Sequence, residues 1–433
     1  MPATRRALPF QGMQRDAWVR LACAALAACY LLQLGLEVYW HNTCGHLAID
    51  YCALRSAGQV ARTSGFANVY DLAALGRVER EVTPRTTAPF VVSPIAYLPI
   101  FVVPLQLLPS LDPTTGYWLW TAINLGVLVL YLLFFIRQTT GSRPSAALLG
   151  LCLLSLPVYW NLFDGQVNVW LLISVGEVIR ASLGGRPFQA GLWLGGLLLK
   201  PQLLLLVIPV LLFQRAFKML TGFAVSSFAL LASSWLLIGD GGMGRLASLW
   251  VGFGNGLPTN DVGMMMNWRM LGALLGTLWS PLLAWIAIAA GLIATLVTAL
   301  YLCRQIDFQS EDSVVIWLGL WAATLLFAWH SHVHMSLILL PPLMYLSVTK
   351  RLSCTALTLW VLLPAFLYFA AFVAAGLLRA GLLPAGSAPW LDFTRGAGAF
   401  AMSIFLLLWA VRRTRAASPE RSADPPQLTG HVA

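Results

Sequence analysis

Apolar stretches, each long enough to cross most or all of a bilayer, follow one another along nearly the whole chain. A hydrocarbon core takes roughly 20 helical residues to span. It holds no water, so backbone N–H and C=O groups must pair within the segment, which selects helices. The candidate crossings are 18–39, 117–136, 146–160, 167–183, 188–199, 201–214, 219–238, 282–302, 313–329, 333–348, 354–377 and 396–411. Only 10% of the residues are charged and the mean hydropathy is +0.76, where a soluble domain carries about 25% charge. These features predict an all-α, polytopic integral membrane protein with roughly 11–13 membrane segments. Several crossings are short, as expected of broken, tilted or bundle-buried helices. Arg5, Arg6, Arg15 and Arg20 precede the first run, and no small-residue cleavage site precedes Tyr39. That run reads as an uncleaved first helix.

The positive residues set the orientation. Arg137 and Arg143, Arg180 and Arg186, Arg215 and Lys218, Arg304, Lys350 and Arg351, and Arg412, Arg413 and Arg415 fall in alternate gaps. The positive-inside rule places those gaps and the N-terminus in the cytoplasm. The net charge of +10 is therefore a topology and lipid-contact signal, and nucleic acid is not an expected partner. The implied organisation is a cytoplasmic arm at 1–17, a transmembrane domain at 18–411 with large outer loops at 40–93 and 239–268, and a disordered cytoplasmic tail at 412–433. The run "SPIAYLPIFVVPLQLLP" (Ser93–Pro109) carries four prolines. As a simple span it would invert everything after it, so it reads as re-entrant or broken; an extra helix near 268–280 would restore parity another way. "IDYCALRSAGQVA" in the first outer loop predicts a short amphipathic interfacial helix. Seven cysteines make no motif. Cys44 and Cys52 could meet in an oxidising compartment, but the reading adopted is free thiols. No Walker or Rossmann fingerprint is present.

Polar groups at membrane depth are costly and line cavities or pair. Five places stand out. "NLFDGQVNVW" sets Asn161, Asp164, Gln166 and Asn168 around a glycine, either as a capped tight turn or as a hydrogen-bonding surface for a polar ligand. "GLLLKPQLLLL" sets Lys200 before a proline that can start a helix, where an anion is favoured; snorkelling to the interface is the alternative. Arg269 in "NWRMLGALLG" offers a planar fork suited to phosphate, or an interfacial anchor. "HSHVH" holds His330, His332 and His334, half of the six histidines. Spacing of two puts all three rings on one face only if the segment is extended; in a helix only His330 and His334 share a side. Hydrogen bonding to a phosphate or sugar is favoured over a metal site, and no metal is expected. Finally Asp50, just after the first helix, could take a proton from a hydroxyl, as could Asp71 in "NVYDL"; either could instead cap a helix.

In chain order these stretches resemble glycosyltransferase family 87, which is grouped with the C-type glycosyltransferase fold. "GLEVYWHNTCGHLAIDYCALRSAGQVARTSGFANVYD" resembles the family's first outer loop and "VVSPIAYLPIFVVPLQLLP" its proline-rich segment. "NLFDGQVNVWLL", "RPFQAGLWLGGLLLKPQLLLLVIPVLLF" and "HSHVHMSLILLPPL" are similar to its polar turn, lysine–proline segment and histidine turn. The resemblance spans roughly residues 18–410. It implies a polyprenyl-phosphate-linked sugar donor, with mannose favoured over arabinofuranose, and a lipid or glycan acceptor. It also implies a bacterial inner (cytoplasmic) membrane location, a site facing the periplasm or cell exterior, and no cofactor. Asp50 falls where the family has its base, Lys200 where it has its donor-phosphate lysine, and His330–His334 on its histidine turn. Arg269 is a candidate from its own chemistry. The "PFVVSPIAYLP" stretch departs from an aromatic-rich "FRYPP"-like family segment, which leaves the acceptor surface open. A secondary transporter is the rival from another class; a ligase or polymerase using diphosphate-linked glycans is a nearer one.

Overall fold

The structure, a computed structural model, describes residues 9–40, 43–45, 47–83, 90–254, 261–304 and 310–421. In chain order the helices are α1 (Pro9–Trp40), α2 (Ile49–Ser64), α3 (Leu72–Val82), α4 (Pro99–Val102), α5 (Pro113–Thr140), α6 (Ala146–Leu153), α7 (Leu156–Phe163), α8 (Asn168–Leu183) and α9 (Pro187–Leu194). They continue as α10 (Leu204–Phe213), α11 (Phe217–Gly254), α12 (Trp268–Leu278), α13 (Pro281–Cys303), α14 (Ser313–Phe327), α15 (Leu340–Val348), α16 (Cys354–Arg379) and α17 (Ala388–Arg421). Short 3₁₀ turns join several of them, and one isolated bridge pairs Met265 with His332. The protein is all-α and polytopic.

Among the described residues, six helices are long and apolar enough to cross a membrane, and seven crossings result if the pair α6–α7, bent by 57°, counts as one. The expected 11–13 segments are therefore not all crossings. Pro99–Ser110, Pro187–Leu199, Pro201–Phe213, Ser313–Phe327 and Val333–Val348 are apolar but short. Such pieces fit a bundle interior, where neighbours satisfy their ends. α14 is the clearest case: 15 residues, buried from Ser313 to Leu326, with Trp317 and Trp321 stacked at 5.8 Å. A helix apolar on every side belongs in the core.

Local chemistry sets the boundaries. Asp112 accepts from the N–H groups of Thr114 and Thr115, and Pro113 opens α5, a cap followed by a residue needing no donor. Ser145, Asn267, Ser280 and Ser353 cap α6, α12, α13 and α16 in the same way. Proline also explains the break at Lys200. The residue before a proline is pushed out of the α region, and Lys200 sits at φ −136°, ψ 80° between two 3₁₀ turns.

The expectations for the loops are met unevenly. The amphipathic helix of the first outer loop is α2. Pro99–Ser110 is a short helix and 3₁₀ turn, entered by a stretch from residue 90 without regular secondary structure, as a broken segment would be. The helix near 268–280 exists as α12 and has 11 residues. The second outer loop is partly helix: α11 continues past a kink at Gly239 to Gly254, because only a glycine readily takes the φ of 62° found there. Asn255 and Asn260 lie outside the described residues. α17 runs on to Arg421, beyond the expected end at 411, and 1–8 and 422–433 lie outside the described residues.

α9 and α11 approach each other through small residues. A Cβ on Gly191 would lie 2.0 Å from the Met219 carbonyl oxygen, and one on Gly222 2.1 Å from that of Phe188. Gly195 faces the Ser226 hydroxyl, which a Cβ would meet at 2.2 Å. Small residues four apart on both helices let backbones touch, which is how helices associate where no hydrophobic effect separates protein from lipid. Gly222→Val should push the pair apart and lower stability by about 1–3 kcal/mol, read as a lower thermal midpoint in detergent. An unchanged midpoint would mean that the close approach is not under load.

Candidate functional site

One cavity of about 490 Å³ collects the polar residues. Its walls come from the first turn of α2 (Ile49, Asp50, Ala53), the stretch Ser93–Tyr97 and the turn residue Gln166. The Lys200 break, Trp250 near the end of α11 and the histidine segment complete them.

The wall carrying Asp50 is built by backbone pairing. The first turn of a helix has unsatisfied N–H groups. Here Ala48 N–H donates to the Phe163 carbonyl at 3.0 Å and Tyr51 N–H to that of Asp164 at 2.8 Å. The 161–166 turn is thus clasped to the start of α2. From its other side, Tyr117 Oη donates to the carbonyls of Leu162 and Phe163 (3.1 Å each), and Trp120 Nε1 to that of Gly165 at 2.9 Å. Gly165 adopts φ +72°, and a Cβ there would lie 2.5 Å from the Tyr51 Cβ. The glycine is needed for both conformation and space.

With turn and helix locked, Gln166 becomes a two-ended link. Its Nε2 donates to Asp50 Oδ2, and its Oε1 accepts from Lys200 Nζ at 3.0 Å. Lys200 is buried, and Asp50 is partly exposed into the cavity. Burial pushes the Asp50 carboxyl above the ordinary aspartate range, while the Lys200 charge and the Gln166 hydrogen bond pull the other way.

The histidines lie opposite. Ala328 (ψ 127°) and His332 (φ −88°, ψ 159°) are extended, Trp329 and His330 lie in a bend, and His334 lies in the 3₁₀ turn Val333–Leu339, so a mixed backbone brings the three rings together. The centroids of His330 and His332 are 4.6 Å apart and those of His332 and His334 5.5 Å. The segment is held by Asn267 Nδ2, which donates to the carbonyls of Ala328 and Trp329, and by Met266 N–H on the Ser331 carbonyl at 2.9 Å. Desolvation lowers the His330 pKa well below the usual imidazole value and holds His332 down to about 3. His332 and then Lys200 and Arg269 add to the effect at His330; Lys200, Arg269 and Arg395 add to it at His332. Both rings are therefore neutral at physiological pH, each with one N–H to give an anion. Among the described residues no group of three His, Cys, Asp or Glu side chains is placed to hold a metal ion.

The structure thus brings Asp50, Gln166, Lys200, His330, His332 and His334 to one cavity. The other candidates stand elsewhere. Asp71 caps α3, accepting from Ala73 and Ala74 N–H, because an aspartate with extended φ/ψ at that position satisfies the helix's free donors. Asn161 Oδ1 accepts from Asn168 N–H at 3.1 Å, and Asn168 Nδ2 donates to the His334 carbonyl at 3.4 Å. These amides brace the turn and the histidine segment, as the tight-turn reading of that motif had it. Asp164 offers its backbone carbonyl to α2 and, like Asn161 and Asn168, is not among the lining residues. Arg269 is not either; its guanidinium lies 5.2 Å from the ring centroid of Trp329, a lining residue, a cation–π contact. Cys44 and Cys52 correct the free-thiol reading: they are joined in a disulfide, because the first turn of α2 folds back on the segment before it and brings the two Cα atoms to 5.7 Å, within bonding range.

Sequence reasoning missed Tyr97, Gln202, Trp250 and Trp329, which also line the cavity. Trp250 Nε1 donates to the Ala96 carbonyl at 2.8 Å, and Gln202 Nε2 to that of His330 at 3.4 Å. Gln202 was within reach of a sequence signal, since it lies two residues past Lys200 in the same polar interruption.

A bundle of apolar helices around a cavity lined by a carboxylate, a buried lysine and three imidazoles makes this a membrane-embedded protein with a polar site. The family model of glycosyltransferase family 87 matches residues 90–329, more than half of the chain, and the protein belongs to that family. No curated protein and no solved structure matches the chain.

One lining residue, Ser93, is bonded to a buried titratable group outside the lining. Glu79 on α3 is buried, and its Oε2 accepts from Ser93 N–H at 3.0 Å at the start of the lining stretch. Burial pushes its carboxyl up to about 7 against that hydrogen bond. The folded state then keeps a proton that the unfolded chain has lost, so this group's contribution to stability falls as pH rises from the ordinary glutamate range through about 7. Thermal midpoints should drop between about pH 3.5 and about pH 8 (roughly one unit beyond each end of that range) by more in the native protein than in Glu79→Gln. Parallel slopes would refute the assignment.

Proposed function

We propose that the protein transfers a sugar, with mannose the favoured one, from a polyprenyl-phosphate donor to a hydroxyl of a lipid or glycan acceptor. In this reading the fold is of the C-type glycosyltransferase kind, and the site opens on the outer face of a bacterial inner membrane. The observation that carries the reading is the Asp50–Gln166–Lys200 link facing three neutral histidines in one cavity.

The chemistry divides between the walls. Asp50 takes the proton of the acceptor hydroxyl as its oxygen bonds to the sugar's anomeric carbon. The bond from that carbon to the phosphate oxygen breaks, and polyprenyl phosphate leaves with the electron pair. Lys200 and the imidazole N–H groups stabilise the charge on that phosphate, as preorganised donors in a low-dielectric site do. The raised pKa of Asp50 makes it a better base than an exposed aspartate. Arg269, stacked on Trp329, lends a positive field. The lipid tail leaves along α10: Leu205 lines the cavity and is exposed, and Leu212 and Phe213 continue the exposed apolar side.

Charge supports the orientation. Arg137 and Arg180 lie in the last turns of α5 and α8, whose N-terminal ends bond to the 161–166 turn that carries Gln166. Arg351 pairs with Glu311 and Asp312 just before α14, and Arg413 donates to the Arg351 carbonyl, whereas α14 ends at the histidine segment. This basic end is opposite the cavity, as the positive-inside rule requires of an outward site. The Cys44–Cys52 disulfide at the cavity end fits an oxidising compartment. Transport is the weaker reading, because family membership and the convergence of base and phosphate groups both favour transfer.

The purified protein in nanodiscs, given radiolabelled polyprenyl-phosphate mannose and a membrane glycolipid extract, should label the glycolipid. Asp50→Asn should reduce turnover by about 10²–10⁴-fold, and Lys200→Met by about 10²–10³-fold. Equal transfer by wild type and Asp50→Asn would overturn the role of Asp50, and transfer only from an arabinofuranosyl donor would reassign the sugar. Leu205→Trp should raise the donor KM for a full-length prenyl chain more than for a short-chain analogue. An equal effect on both would remove the tail path.

A further inference from the structure

The disulfide lies against the base. Cys52 is in α2 one half-turn after Asp50, and Cys44 is in the segment that leads into that helix. Both sulfurs are buried in a small core of their own with Leu47, Tyr51, Tyr117 and Phe163, separate from the main core of the bundle. The same core holds the 161–166 turn through Tyr117 and through the bonds from Ala48 and Tyr51 N–H. Thr43 and Thr114, with hydroxyl oxygens 2.6 Å apart, tie the incoming segment to the start of α5. Ala48, the residue that launches α2, has φ 59° and ψ 30°. That left-handed conformation is disfavoured for alanine, and such residues persist only where the surroundings over-determine them. Here the constraints are the crosslink on one side and the Phe163 carbonyl on the other.

We propose that the Cys44–Cys52 disulfide is a positioning element of the transfer reaction: it fixes the first turn of α2 so that Asp50 stays in reach of Gln166. Without it, the first turn of α2 can leave the 161–166 turn while Lys200 and the histidines, held by other elements, keep their places. Turnover then falls and the hold on the donor phosphate does not. The inference rests on Asp50 as the base; its structural half does not.

The test uses the full chain in nanodiscs. Differential alkylation should find Cys44 and Cys52 linked in the isolated protein; two free thiols there would overturn the proposal. The variant Cys44→Ser/Cys52→Ser should lose about a hundredfold in kcat, the scale of a small misplacement of a catalytic group, with the donor KM unchanged. A wild-type kcat would overturn it, and so would a joint rise in KM and fall in kcat. Wild-type protein reduced after folding with tris(2-carboxyethyl)phosphine, under conditions where alkylation shows both thiols free, is the second arm, in case the double variant does not assemble; undiminished turnover there also overturns the proposal. Hydrogen exchange provides the readout independent of activity. The amides of Ala48 and Tyr51 should lose protection on reduction while those of α14 keep theirs. If oxidised wild type shows no transfer but this exchange pattern holds, the function has failed and the positioning has not. If protection is unchanged, the positioning has failed whatever the activity.

Discussion

The amide of Gln166 joins the two charged groups of the cavity. An amide can give a hydrogen bond at one end and take one at the other, and this one gives to Asp50 and takes from Lys200. A carboxylate and an ammonium taken out of water are costly unless each is paired. With the amide between them they are neutralised without touching, and the space beside them stays open. The fold around the cavity can be read as what this link requires: a glycine at 165 to turn the chain, a helix start to hold that turn, and a proline at 201 to break the helix where the lysine must point inward.

The same logic explains the many short helices. Long spans such as α5, α13 and α16 form the membrane-facing frame, while α14 is buried and the segments around Lys200 and the histidines are broken. Irregular backbone at membrane depth is tolerated where it lines a cavity or is covered by protein. In this chain the breaks and the polar cavity residues coincide.

Much of this was legible in the sequence. Apolar runs give the class of protein, and polar residues interrupting them give Asp50, Gln166, Lys200 and the three histidines, because desolvation makes such residues rare without a purpose. Periodicity posed a choice between an extended segment and a helix for the histidines, and the structure is a mixture, with His332 extended and His334 in a 3₁₀ turn. Other parts were not legible. Apolar length alone cannot separate a crossing from a buried half-helix, so the sequence does not tell which of the expected segments are long spans and which are short apolar pieces. Asp71 and Asp50 look alike in sequence, but one sits at a helix N-cap with free donors and the other one residue inside a helix facing a cavity. Arg269 has the right chemistry and stacks on Trp329, a lining residue, without itself lining the cavity. The Cys44–Cys52 pair needs the chain reversal before α2, which no spacing rule announces.

The most direct test of the account is an experimental structure of Asp50→Asn in nanodiscs with polyprenyl-phosphate mannose bound. The account predicts the phosphate between Lys200 Nζ and the imidazoles of His330 and His332, the sugar turned toward position 50, and the prenyl chain leaving past Leu205. A headgroup bound outside this cavity, or a phosphate held by Arg269 with Lys200 still on Gln166 alone, would contradict it.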